Sequence, residues 1–369
     1  MVFSDRTESR TKLEMKGGKI RGQGTYGCVF QPSLLCRGID SDKSDPNKVG
    51  KITSIDDAKN ELSIAKYIHT LPESSKYVIV ADPKSCVPIS KLKQKDPDLK
   101  YCDFSKDIPL EKTIQIIMPW GGKPLNQMNL NPKSFDIFRF AEQLLEIGGF
   151  LILNDICHMD LWGQNILFDK QNTPRLIDFG FSFRPSQLTF SDLKSRWRQI
   201  STDHDTETPE VTLMLGSLSE LSIPNLIHSL QKSKPAVLRL AAICGVSPDE
   251  WGSELKEWSE QSQSFKERDW VSSWKLYWPG FDAWAIGALL LQLLELELAI
   301  PEFNASDAWA TRGEIFKEML KKLCSGHPAY RLDTLEALHM LTNGANPLVS
   351  AGSAGSVWVS EKQKKRPHP

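Results

Sequence analysis

The feature that most constrains the fold is a change of period part-way along the chain. From Gly17 to about Met118 the apolar residues come in short runs punctuated by glycine and proline: "GGKIRGQGTYGCVFQP", "KVGKIT", "YVIVAD" and "KTIQIIMP". Runs of that length and composition read as β-strands. One helix interrupts them, "SIDDAKNELSIAKYIHTL", with Asp56 or Asp57 expected as N-cap and Ala58, Leu62, Ala65 and Ile68 on one face. After "WGGKPL" the period lengthens to that of helices, in "SFDIFRFAEQLLEIGGFLILNDI", "DAWAIGALLLQLLELELAI", "DAWATRGEIFKEMLKKLCSG" and "RLDTLEALHML". A small strand-rich part followed by a larger helical part is an α+β arrangement.

The chain can support two such parts, because 369 residues at 40% hydrophobic and 25% charged content are enough to bury a sizeable core. A formal net charge of -1 offers no global field for a polyanion, so neither direct nucleic-acid binding nor membrane attachment is expected. The seven cysteines include no C-x-x-C pair, which predicts neither a disulfide framework nor a zinc site and fits a reducing interior. The first residues lack the apolar run of a secretion signal, so the expected location is cytoplasmic or nuclear and not secreted. The most apolar stretch, Asp282 to Ile300, carries Gln292, Glu295 and Glu297 and reads as a buried core helix, not a membrane span. Residues 1–16 and the Gly-, Ser- and Pro-rich residues 343–369, ending in "KQKKRP", read as tails, the latter flexible and basic.

Four motifs carry chemistry. The string "GQGTYGCV" supplies Gly22, Gln23, Gly24, Gly27 and Val29 between two strand-like runs, glycines being needed where backbone passes close over phosphates. A helix directly after it would have indicated a dinucleotide fold, and none is expected there. Lys51 on a strand can pair with nucleotide phosphates if a carboxylate holds it, and Glu61 falls beside the apolar face of the next helix, where an unpaired charge would be costly. Lys48 is the rival lysine. In "CHMDLWGQNILF", Asp160 precedes Asn165 at the spacing that puts a base and a metal ligand on one loop. From Asn165, strand "NILFD", turn "KQNT" and strand "PRLID" return the chain to Asp178, so an amide oxygen and a carboxylate converge as hard donors for Mg2+. Taken singly, each residue has an ordinary structural use. Four motifs in this order at compatible spacings argue for a phosphate-transfer site.

From about Lys19 to Leu341 the sequence resembles the eukaryotic-type protein kinase family, through "GQGTYGCV", Lys51 and Glu61, "HMDLWGQN", "DFG", "TPE" at Thr208 to Glu210, "DAWAIG" and Arg331. The resemblance implies a two-lobed fold: an N-lobe and hinge over 17–121, with a small antiparallel sheet and one main helix, then a helical C-lobe over 122–342 with an insertion at about 211–278. It implies an ATP- and Mg2+-dependent enzyme acting on protein hydroxyls, serine or threonine by family expectation. Asp160 would be the base, with Lys51 and Glu61 orienting the phosphates and Asn165 and Asp178 binding Mg2+. Nucleotide contacts would come from Gly22, Gln23, Gly24, Gly27, Val29, Lys51 and the hinge residues Met118, Pro119 and Gly121. Glu210 and Arg331 would form a structural ion pair. Among members, the sequence looks like the serine/threonine-protein kinases of large DNA viruses of eukaryotes, which would place it inside a host cell or in the virion. The expected partner is a protein substrate, and the oligomeric state is left open.

Two departures bear on activity. Met159 stands where the family often has an arginine that reads a phosphate on the segment 181–207, and Trp162 stands where it often has a lysine. They keep two alternatives in view: a pseudokinase scaffold that binds nucleotide or partners without transfer, and a small-molecule kinase, since "DLWGQN" resembles the loop of sugar-amine kinases. Within the insertion, Trp270, Trp274 and Trp278 recur at helical spacing and are expected to bury against the helical part.

Overall fold

The computed structural model describes residues 18–24, 27–37, 45–83, 85–88, 97–128, 130 and 135–365. The expected tail 1–16, Thr25 and Tyr26 of the glycine string, and the terminal 366–369 lie outside the described residues. The chain divides into two compact units, Met1–Ala65 with Ala81–Trp120, and Lys66–Val80 with Gly121–Pro369. The sequence reading made the units contiguous, whereas here Lys66–Val80 is assigned to the second. The reason lies in contacts with distant parts of the chain: Tyr77 stacks on Phe150 with ring centroids 4.8 Å apart, and the backbones of Tyr77 and Ile79 both hydrogen-bond to Leu176.

The first unit is built on strands β1 (Lys19–Gly24), β2 (Gly27–Gln31) and β3 (Lys48–Ser54), helix α1 (Ile55–Ile68) as far as Ala65, the single turn α2 (Phe104–Asp107) and strand β4 (Thr113–Pro119). The sheet is antiparallel in the order β1-β2-β3-β4. Gly27 closes the hairpin opposite Gly24 with φ +153°, and a Cβ there would meet the Ile52 carbonyl oxygen at 2.0 Å, so only glycine fits. Cys28, Phe30, Leu34, Ile52, Leu99, Cys102 and Leu110 form a buried cluster. Helix α1 starts two or three residues earlier than expected, because the Ser54 hydroxyl, not Asp56 or Asp57, accepts the Asp57 N–H at 3.1 Å and caps it. Ala58, Ala65 and Ile68 are buried as expected, while Leu62 is only half-buried and Ile64 is buried instead.

The cysteine expectation is corrected. Cys28 pairs with Cys102 and Cys36 with Cys86, at Cα–Cα separations of 5.9 and 5.7 Å. Partners 74 and 50 residues apart leave no spacing signature, and tertiary packing alone brings them together.

The second unit pairs β5 (Lys123–Pro124), β6 (Ile166–Phe168) and β7 (Pro174–Leu176) in an antiparallel sheet beside helix α3 (Ile137–Leu153). After the short α4 (Phe190–Lys194) the chain is helical: α5 (Pro209–Leu218), α6 (Ile223–Ser233), α7 (Pro235–Cys244), α8 (Pro248–Gln261), α9 (Gln263–Lys266), α10 (Trp270–Tyr277) and α11 (Pro279–Leu298). It ends in α12 (Pro301–Asn304), α13 (Asp307–Leu323), α14 (Thr334–Thr342) and α15 (Ala354–Lys365). A small antiparallel sheet followed by a larger helical part is the kinase-like α+β class expected.

Helix α11 is the apolar run singled out from sequence, and it is buried nearly all round, the pattern of a core helix. No helix among the described residues is long and apolar enough to cross a membrane. Trp251, Trp258, Trp270 and Trp274 are buried within the second unit, and Trp278 is half-buried against Trp358. The C-terminal segment departs from the tail expected. Gly-rich residues turn the chain back, and α15 docks through buried Gly355 and Val359 while the Trp358 indole donates to Asp333 Oδ2 at 2.7 Å.

Candidate functional site

In the first unit, β3 lies between β2 and β4, which sets Lys51 opposite Val29 on one side and Ile116 on the other. The Lys51 Nζ reaches Glu61 Oε2 on α1 at 2.9 Å, with the two side chains only 12% and 5% exposed. Glu61 is thus a buried carboxylate with a cation beside it, which answers the cost of its place on the helix. The rival Lys48, half-buried, lies 4.0 Å from Asp82. Of the glycine string, Gly22, Gln23 and Gly24 are on β1, paired with Val29, Cys28 and Gly27 of β2. The Gln23 side chain is held by Asp103, donating to its carboxylate at 2.8 Å and accepting its N–H at 3.2 Å. Met118, buried, and Pro119, exposed, end β4 opposite Val49 and Lys48. Gly121 belongs to the second unit, where a Cβ would meet Ile79 at 2.5 Å and Leu167 at 2.6 Å.

In the second unit the loop before β6 is shaped by two buried side chains. The Asp282 carboxylate, on α11, accepts the backbone N–H of His158 at 2.7 Å and of Met159 at 3.0 Å. This clamp holds Met159 at φ +66°, a left-handed conformation that a non-glycine residue keeps only when its surroundings impose it. Burial pushes the Asp282 carboxyl above its ordinary range, against the bonds from His158 and Met159. The fully buried His158 ring accepts the Asp160 N–H at Nδ1 (3.2 Å), so its Nε2–H donates to the Ile177 carbonyl (3.0 Å). The ring ties the loop to the strand that leads into Asp178.

Asp160 and Asn165 are in contact: the Asn165 amide donates to the Asp160 backbone carbonyl at 2.8 Å and to Oδ2 at 3.0 Å. With its nitrogen engaged there, the Asn165 side chain has its amide oxygen to offer as an acceptor. The hairpin β6–β7 pairs Ile166 with Leu176, and the Ile177 N–H reaches the Asn165 carbonyl at 2.9 Å, so the chain carrying Asp178 runs beside Asn165. Asp178 adopts φ 65°, ψ 75°, again left-handed, and its carboxylate accepts the Gly180 N–H at 3.4 Å. An amide oxygen and a carboxylate are hard donors, and so small a protein set fits Mg2+, which takes its remaining ligands from water and phosphate.

Over 183 residues, 48% of this chain, the sequence is 26% identical to human mitogen-activated protein kinase kinase kinase 3. It has the same identity to the mouse protein of that name over the same length. The chain spans about a quarter of the length of these curated relatives, 26%. The likeness supports a protein-kinase family. No protein-family model matches the chain.

The kinase-like loop is bordered by residues that sequence reasoning missed. Arg198 Nη2 donates to Asp160 Oδ1 at 3.1 Å and to the Met159 carbonyl at 3.2 Å, and its guanidinium lies 4.0 Å from the Phe181 ring centroid. Arg196, nearly buried, donates to the backbone carbonyls of Phe181 (2.9 Å), Ser182 (2.6 Å) and Asp192 (2.6 Å). Neither belongs to a motif, and Arg198 lies 38 residues from Asp160, so no local spacing announces the contact. Trp162 is 39% exposed and brings no charge to the loop. Glu210 and Arg331, named from the resemblance, form a fully buried bidentate pair at 2.5 and 3.0 Å.

Proposed function

We propose that this chain is an ATP- and Mg2+-dependent protein kinase that phosphorylates serine or threonine hydroxyls. The observation that carries the reading is Asp160: a carboxylate of 22% side-chain exposure whose two oxygens are held in fixed directions by Asn165 and Arg198, on a loop clamped by Asp282. A base oriented this way is set to take the proton of an attacking hydroxyl. Lys51, steadied by Glu61, takes the nucleotide phosphates, and the glycine string with Met118, Pro119 and Gly121 contacts the rest of ATP. Asn165 and Asp178 hold the Mg2+, which when bound offsets phosphate charge. The relatives' printed name, a protein kinase kinase kinase, supports a protein acceptor, and serine or threonine follows from the resemblance. Details of the glycine string and the long insertion after "PE" support a likeness to kinases of large DNA viruses of eukaryotes, acting within a host cell.

The test is transfer of labelled phosphate from Mg-ATP to generic protein substrates. Wild type is expected to label protein, and Asp160→Asn to lose about 10²-fold or more of that rate. Full activity in Asp160→Asn sinks the assignment of the base. Tight Mg-ATP binding with no labelling by either protein favours a nucleotide-binding scaffold. Labelling of a sugar amine but no protein favours a small-molecule kinase.

A further inference from the structure

Phosphate transfer concentrates negative charge beside the carboxylate that serves as base, and unlike charge must be supplied locally for the two to approach. Residues 160–165, Asp-Leu-Trp-Gly-Gln-Asn, contain no cation. Arg198 brings one from the segment after "DFG", its Nη2 3.1 Å from Asp160 Oδ1 and 3.2 Å from the Met159 carbonyl. The face of Phe181 fixes the plane of the guanidinium, and the Arg198 side chain keeps 20% exposure. Only the Nη2 edge is engaged: the Nε and Nη1 N–H groups make no hydrogen bond among the described residues. A planar fork with one edge on a carboxylate and other donors unspent is suited to a phosphoryl oxygen.

We propose that Arg198 is the cation of the transfer step, orienting Asp160 through one edge and receiving phosphoryl oxygens on the other. The proposal rests on the kinase reading above. In the step, the acceptor hydroxyl oxygen bonds to the γ-phosphorus, and the bond from that phosphorus to the β–γ bridging oxygen breaks. Its electron pair leaves with ADP, the hydroxyl proton passes to Asp160, and Arg198 keeps its protons throughout. The uncharged Trp162 is then no defect of the loop, because the charge arrives from another element.

The experiment measures steady-state transfer from Mg-ATP to casein by the full chain, with thermal unfolding of each variant alongside. Arg198→Met is expected to lower kcat by about 10²-fold or more and to leave KM for ATP within about threefold, the signature of an interaction made in the transition state. Arg198→Lys should keep at least about a tenth of wild-type kcat, and Trp162→Lys added to Arg198→Met should restore at least about tenfold, since either returns a cation. A purely structural arginine would not be rescued by a lysine placed at 162. If Arg198→Met unfolds, the comparison of Arg198→Lys with Arg198→Gln decides the same question. Unchanged kcat in an active background overturns the proposal, and so does a rise, which would make Arg198 a lock on Asp160. A wild type that transfers no phosphate overturns the kinase reading and, with it, this role. An active wild type with an indifferent Arg198→Met overturns this role alone.

Discussion

Glu210 and Arg331 meet with neither side chain exposed, Nη1 to Oε1 at 2.5 Å and Nη2 to Oε2 at 3.0 Å, and Arg331 also donates to the Ser325 carbonyl. Removing two charges from water costs several kcal/mol for each, which only good geometry repays, so such a pair is worth little as a unit and a great deal once halved. Glu210→Gln or Arg331→Met should each destabilise the second unit by about 3–5 kcal/mol. Glu210→Met combined with Arg331→Met should cost less than the sum of the two single losses, because no orphan charge is left. Denaturant unfolding of the three variants tests this, and an additive double loss would count against it. Lys51 and Glu61 are a pair of a different kind, since Lys51 keeps 12% exposure and so retains access to a ligand.

At the scale of the element, the segment from Phe179 to Glu207 is tied down by arginines of its own. Arg196 spans it internally, donating to carbonyls of Phe181, Ser182 and Asp192, and Arg184 packs 3.8 Å from the Tyr67 ring centroid while pairing with Asp155 at 3.3 Å. Four hydroxyls of the segment are also engaged: Ser182 with the His158 carbonyl, Ser186 with Asp155, Ser201 with Asp203 and Thr202 with Ser233. Met159 is consistent with this arrangement, since the family resemblance gives its position to an arginine that often reads a phosphate on this segment. Bonds from a charged donor contribute about 1.5–3 kcal/mol each, so losing three loosens the segment locally more than it unfolds the unit. Arg196→Ala should therefore raise the rate of limited proteolysis within residues 183–200 by about tenfold or more and lower phosphate transfer, with little change in the main unfolding transition. Phosphatase treatment of wild type should leave transfer unchanged, and a marked loss on that treatment would show that the arginine struts are insufficient.

At the scale of the molecule, what could be read from sequence was whatever is encoded within a few turns of chain. The change of period located the strand-rich and helical parts, the spacing of Asp160 and Asn165 predicted their proximity, and the apolar flank of α1 singled out Glu61. The return of Lys66–Val80 to the second unit, the Cys28–Cys102 and Cys36–Cys86 pairs, the docking of α15 and the reach of Arg198 all depend on contacts between distant segments, for which a single sequence carries no local signal. Glu297 stands between these cases. Its charge sets the apolar run apart from a membrane span, yet its own position is only 2% exposed, on the core helix α11, with neither carboxylate oxygen hydrogen-bonded among the described residues. Burial pushes its carboxyl from an ordinary 4.5 up to about 7. The folded state therefore holds this proton more tightly than the unfolded chain does. The resulting stabilisation is complete below about pH 4.5, declines as the pH rises, and is gone once the pH has passed about 7. Glu297→Gln keeps the shape and cannot ionise, so its stability should lack this decline: comparable to wild type near pH 5, and higher by a few degrees of Tm at pH 8. Thermal unfolding of both proteins at half-unit steps from pH 5 to pH 8 measures the difference, and parallel curves across that window would show that Glu297 does not titrate between the folded and unfolded states as its burial requires.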